Sequence, residues 1–133
     1  MRRFAVCLVL SCVVGAPGAL ALAAPKGHTS YVGKTKQGRT IRLKADARQV
    51  KVQSFTVELH CHDGSVLVDQ ESGFEPSTLK GGKFRDTQYG STDTVIYSGK
   101  VRGSKVTGTV KVRDKVGKVK CVSPTVKFTA HRR

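Results

Sequence analysis

The residues best suited to chemistry cluster around Cys61. His60 and His62 flank it, Glu58 lies two residues before His60, and Asp63 follows His62. In an extended strand, side chains two apart share a face. Glu58, His60 and His62 would then project together, and a turn at Asp63-Gly64 would bring Asp69 opposite Glu58. Imidazole and carboxylate together suit Zn²⁺ or Cu²⁺. Cys61 points to the other face and is a poor ligand once oxidised. The spacing also fits a plain polar strand end running into a turn. His60 and His62 are therefore weak metal candidates only, and no cofactor is expected.

Catalytic constellations are missing from the pattern. Ser-His-Asp chemistry needs a base held beside an activated serine, and the chain has no G-x-S-x-G elbow. Glu58 and Asp69 are the sole carboxylate pair that the spacing suggests. On a solvent face they read as surface charges rather than a glycosidase pair, which needs a partly buried acid in a cleft. Gly81-Gly82-Lys83 and Gly99-Lys100 lack the spacing and following helix of a phosphate loop. The expectation is a non-enzyme.

Charge points elsewhere. The chain carries 24 Lys and Arg against 9 Asp and Glu, a formal +15. Lys100, Arg102, Lys105, Lys111, Arg113, Lys118 and Lys120 fall at alternate positions through the C-terminal half, so they are expected on one outer sheet face. Several stand opposite another cation, which weakens a strand pair. Such a face favours anionic partners: cell-wall polymer, acidic polysaccharide, nucleic acid or a lipid surface. The competing reading is a solvated face that keeps the protein soluble. Aromatic residues do not interleave with these cations, so specific nucleic-acid reading is not expected.

These side chains need strands to position them. After residue 30, short alternating runs rich in Val and Thr recur between Gly, Asp and Ser, without helical spacing. Gly103-Ser104 has glycine first, as a type II′ turn requires. It sets Arg102 opposite Lys105, Val101 opposite Val106, Gly99 opposite Gly108, Tyr97 opposite Val110 and Val95 opposite Val112. A second loop at 114–117 would place Arg113 opposite Lys118, Lys111 opposite Lys120 and Val110 opposite Cys121. Asp63-Gly64 would place Cys61 opposite Val66 and Leu59 opposite Val68. Both cysteines then face inward. Val50 and Val52 are out of phase with Phe55, which predicts a bulge near Gln53-Ser54. Residues 73–82 read as a loop, and Val126, Phe128 and Ala130 as the last strand. The expected fold is all-β, a single antiparallel sandwich (or small barrel) of about eight strands.

The N-terminus reads as an export signal over residues 1–24. Arg2 and Arg3 precede an apolar run from Phe4 to Val14, too short to span a bilayer, and Ala21-Leu22-Ala23 fits the small-residue cleavage rule. Cleavage leaves residues 25–133 as one domain with 22 cations against 9 acids, a formal +13. Cys7 and Cys12 leave with the signal. Cys61 and Cys121 remain and are expected to form one disulfide joining the inner faces of two sheets. No transmembrane segment is expected, and the location is secreted or associated with the cell envelope.

Tyr31-Val32-Gly33-Lys34-Thr35, Cys61-His62-Asp63-Gly64, Gly82-Lys83-Phe84, Ser98-Gly99-Lys100, Gly108-Thr109, Cys121 and Val126 to Ala130 resemble a group of small exported bacterial proteins typified by actinobacterial sequences. Its members are rich in Gly, Lys and Thr and carry two cysteines. The resemblance implies a disulfide-closed β-sandwich in a secreted setting and no particular activity. The function expected is that of a secreted binding or surface-associated protein whose cationic face engages anionic envelope or extracellular material. The alternative is a protein–protein docking module, an inhibitor or accessory subunit, using an apolar loop with Phe74, Pro76 and Leu79.

Overall fold

A computed structural model describes residues 27–133. The expected signal segment, with Cys7 and Cys12, lies outside the described residues. The chain forms ten strands: β1 (Thr29–Thr35), β2 (Thr40–Ala45), β3 (Gln49–Cys61), β4 (Val66–Ser72), β5 (Ser77–Thr78), β6 (Lys83–Tyr89), β7 (Asp93–Arg102), β8 (Lys105–Val116), β9 (Val119–Val122) and β10 (Val126–Arg132). The expectation of about eight was short by β1 and the two-residue β5. All pairings between these strands are antiparallel.

The strands run in the order β10-β1-β2-β3-β9-β8-β7-β6, and β10 also pairs with β8. That last pairing closes a six-strand barrel from β1, β2, β3, β9, β8 and β10. β7 and β6 extend it beyond β8, while β4 and β5 extend it beyond β3. Among the described residues, no helix is long and apolar enough to cross a membrane.

Closure depends on β8 changing partners. Its first half pairs with β10, from Lys105–His131 to Val110–Val126, and its last residues pair with β9, from Arg113–Val122 to Val116–Val119. Ser123 spans the junction. Its N–H donates to the Val112 carbonyl at 2.9 Å, and its hydroxyl accepts from the Val112 N–H at 2.9 Å. β1 runs between β10 and β2. There Gly33 lies so close to the Thr129 carbonyl that a side chain has no space.

Alternation fills the interior. Ile41, Leu43, Val50, Val52, Phe55, Val57, Leu59, Val95, Tyr97, Val106, Val110 and Val112 are all buried. Phe74 stacks on Phe55 with ring centroids 5.6 Å apart and meets Tyr97 edge-on at 5.7 Å. Cys61 and Cys121 are bonded and stand directly opposite each other on β3 and β9. The disulfide thus staples neighbouring strands, where a bridge across two facing sheets was expected. It closes a separation of 60 residues, worth about 4 kcal/mol in the chain-entropy picture.

Two hairpins depart from their expected registers. Asp114 stays in the β8 strand opposite Cys121, and the β8–β9 turn is Gly117-Lys118, with Val116 opposite Val119. Only Gly117 of that pair has a left-handed φ (63°), the same chemistry as Gly103 (53°). At the other hairpin, the N–H of Cys61 donates to the Ser65 carbonyl at 2.9 Å across a three-residue loop, with Gly64 at φ 85°. His60 therefore faces Val66, and Leu59 faces Leu67. This single step turns Val66 and Val68 outward and Leu67, Asp69 and Glu71 inward.

Candidate cationic face

The β7–β8 hairpin has the expected register throughout, from Val95–Val112 to Arg102–Lys105. Its turn is held at the barrel end. The Tyr31 hydroxyl, rooted in the core, donates to the Gly103 carbonyl at 2.7 Å, and the Arg132 N–H donates to the Ser104 carbonyl at 2.7 Å. Burial, the leading cause, raises the Tyr31 pKa, partly countered by Arg132. The phenol thus stays a donor. Arg102 and Lys105 are mounted beside this turn and are exposed.

The registers extend the face well beyond the expected strands. One outward row runs Arg102, Lys105, His131, Val32 and Arg42 across β7, β8, β10, β1 and β2. The next runs Lys83, Lys100, Thr107, Thr129, Lys34 and Thr40 from β6 to β2. A third holds Arg85, Ser98, Thr109 and Lys127. Directly opposed side chains in such rows stand about 5 Å apart at Cβ. Hydroxyls bridge some of these gaps: Lys34 Nζ donates to Thr40 Oγ1 at 3.0 Å, and the Ser98 and Thr109 hydroxyls pair at 3.2 Å.

Carboxylates are kept off this surface. The chain has 9 acids. Asp69, Glu71, Asp86, Asp93 and Asp114 occupy inward strand positions, opposite Val57, Phe55, Tyr97, Asp114 and Asp93. Asp46, Asp63 and Glu75 sit in connections. Only Glu58 is outward, on β3, where Arg39 pairs with it at 2.8 Å. The outer face of β6, β7, β8, β10, β1 and β2 thus has cations and hydroxyls and no carboxylate.

The concavities on this face follow the same chemistry. One of about 330 Å³ is lined by Lys100, Arg102, Lys105 and Thr107. Another of about 410 Å³ includes Lys34, Lys36, Lys127, Thr129 and His131. Beyond this face, a larger open cleft of about 900 Å³ rounds the β6 edge to its inner side, where Lys80, Lys83, Arg85 and Lys100 meet Ser77 and Asp86. Burial pushes the Asp86 carboxyl up. Hydrogen bonds from Ser77, Gln88, the Thr87 N–H and Tyr97 outweigh it and hold the group below the usual range. Ser77 donates to Asp86 Oδ2 at 2.8 Å and pairs with the Tyr97 hydroxyl at 2.9 Å. This network anchors the 73–82 loop to β6 and β7.

The remaining cations named from the sequence lie further along. Lys111 and Arg113 are outward on β8, Lys111 half-buried. Lys118 is in the β8–β9 turn, and Lys120 faces Lys115 rather than Lys111. Sequence reasoning missed Lys34, Arg42, Lys83, Arg85, Lys127 and His131 as part of the surface. Lys34, Arg42, Lys127 and His131 join it through the β8–β10–β1 closure, which no local turn signals, and Lys83 and Arg85 join it through the β6–β7 hairpin.

The histidine cluster does not assemble. His60 and His62 are both exposed, but Glu58 is paired with Arg39 and Asp69 is on the opposite side of the sheet. Asp63 accepts from the Ser65 hydroxyl at 2.6 Å and the Ser65 N–H at 3.0 Å. Among the described residues, no group of three or more His, Cys, Asp or Glu side chains is placed to hold a metal ion. Of the apolar loop named for the docking alternative, Phe74 is buried in the core, Leu79 packs partly against it, and Pro76 is exposed. No family model matches the chain, and no match was found among curated proteins or solved structures.

Proposed function

We propose that this is an exported, non-enzymatic protein that holds anionic polymer of the cell envelope or extracellular space on its outer sheet face. The observation that supports this reading is the separation of charge: cations and hydroxyls outward on six adjacent strands, and every carboxylate except Glu58 of β3 turned inward or placed in connections. Solubility alone needs charges of both signs interspersed and no such sorting. Along each strand, outward side chains repeat about every 7 Å, and neighbours within a row stand about 5 Å apart, so a flexible polyanion meets a cation in most registers. This geometry favours charge density over sequence or sugar identity. Retention on immobilised heparin or teichoic acid across a salt series tests the reading. Steep salt-dependent release is expected, and absence of retention at about 0.1 M salt, where the screening length is still about 10 Å, contradicts it.

A further inference from the structure

Every large apolar side chain left exposed among the described residues lies towards the end opposite the Gly103 turn. Tyr89 is 80% exposed, Val116 47%, Val66 54% and Val68 55%. Tyr89 ends β6, Val116 ends β8 at the Gly117-Lys118 turn, and Val66 and Val68 begin β4 after the His62–Gly64 loop.

Backbone bonds lace these hairpin tips into one rim. The Lys115 N–H donates to the Thr92 carbonyl at 3.1 Å, joining the β8 end to the β6–β7 connection. The His62 N–H donates to the Lys120 carbonyl at 2.9 Å, and the disulfide lies next to it. Lys115, Lys118 and Lys120 are exposed between the apolar residues, with Lys115 directly opposite Lys120. Asp93 and Asp114 face inward, and Asp63 is engaged by Ser65.

A polyanion in water has no use for exposed Tyr and Val. A bilayer surface uses both groups: headgroup charge attracts lysine, and the interfacial zone accepts tyrosine and apolar side chains. We propose that this rim docks on an anionic lipid surface. Tyr89 and Val116 enter the headgroup zone, and Lys115, Lys118 and Lys120 sit on lipid phosphates. The docking is peripheral, and it stands independently of the polymer face at the other end.

Vesicle sedimentation tests it, using the disulfide-intact protein with phosphatidylcholine vesicles and with vesicles containing phosphatidylglycerol. Binding is expected only to the latter. The double variant Tyr89→Ser/Val116→Ser should lose about tenfold in vesicle affinity and keep its heparin retention. The variant Tyr89→Trp gives a second readout, because the chain contains 0 Trp. Its emission should shift to the blue on phosphatidylglycerol vesicles. Absence of vesicle binding, equal binding to neutral vesicles, wild-type binding by the double variant or an unshifted emission would each overturn the proposal.

Discussion

Val112 and Ser123 exchange two hydrogen bonds, both of 2.9 Å, one of them through the serine hydroxyl. The pair stands where β8 leaves β10 for β9. Ser123 is 2% exposed, and its hydroxyl also donates to the Pro124 carbonyl at 2.8 Å. Replacing it with alanine leaves the buried Val112 N–H without its acceptor. Ser123→Ala should cost about 1–3 kcal/mol in urea denaturation. An unchanged midpoint would show that the barrel closure does not depend on this contact.

Gly99 and Gly108 oppose each other across the β7–β8 hairpin, and a ring covers each. A Cβ on Gly99 would stand 2.7 Å from Phe84, and one on Gly108 would stand 2.9 Å from Phe128. Both would also strike backbone carbonyls, of Thr107 and Ser98 respectively. The strands that carry the cationic rows therefore come together only with glycine here. Gly99→Ala and Gly108→Ala should each lower stability by about 2–4 kcal/mol in thermal or urea unfolding, the upper range for overpacking. A loss below the glycine-to-alanine propensity difference would refute the fit.

Glu71 is drawn inward opposite Phe55 and is 9% exposed. Burial first, then Asp69, Asp93 and Asp114, raise its pKa to about 7. The unfolded chain ionises earlier, so its stabilising contribution is complete below the usual carboxylate range and is lost as pH climbs towards 7. Residual solvent access at Glu71 limits the effect to about 1–2 kcal/mol. Glu71→Gln should leave stability nearly unchanged at pH 4 and raise it at pH 8. Equal melting shifts at both pH values would contradict this account.

The sequence made some of this legible, and turn chemistry decides which part. Gly103-Ser104 is a two-residue turn with glycine first, so every β7–β8 pair follows from it. The phase slip at Gln53 was also visible, because Val50, Val52 and Phe55 cannot share a face without it; the ladder steps there from Leu43–Val52 to Arg42–Ser54. Asp114 misled because aspartate favours turns, although Gly117-Lys118 repeats the Gly103-Ser104 pattern two residues on. At Asp63-Gly64 the turn was found but its length was not, and one residue exchanged the two faces of β4. Lys100, Arg102 and Lys105 were readable because their hairpin is local. Lys34, Lys127 and His131 join them through pairings between distant segments.

The central claim is that the acid-free outer face, and not net charge alone, holds anionic polymer. Two variants losing equal charge separate these ideas on a heparin column run across a salt series: Lys83→Ser/Lys100→Ser/Arg102→Ser/Lys105→Ser on the six strands, and Arg48→Ser/Lys51→Ser/Lys118→Ser/Lys120→Ser outside them. The first should elute at markedly lower salt, with its log-affinity slope against log-salt reduced by about 2–4, roughly one per lost contact, while the second stays near wild type. Identical elution of the two variants would contradict the account.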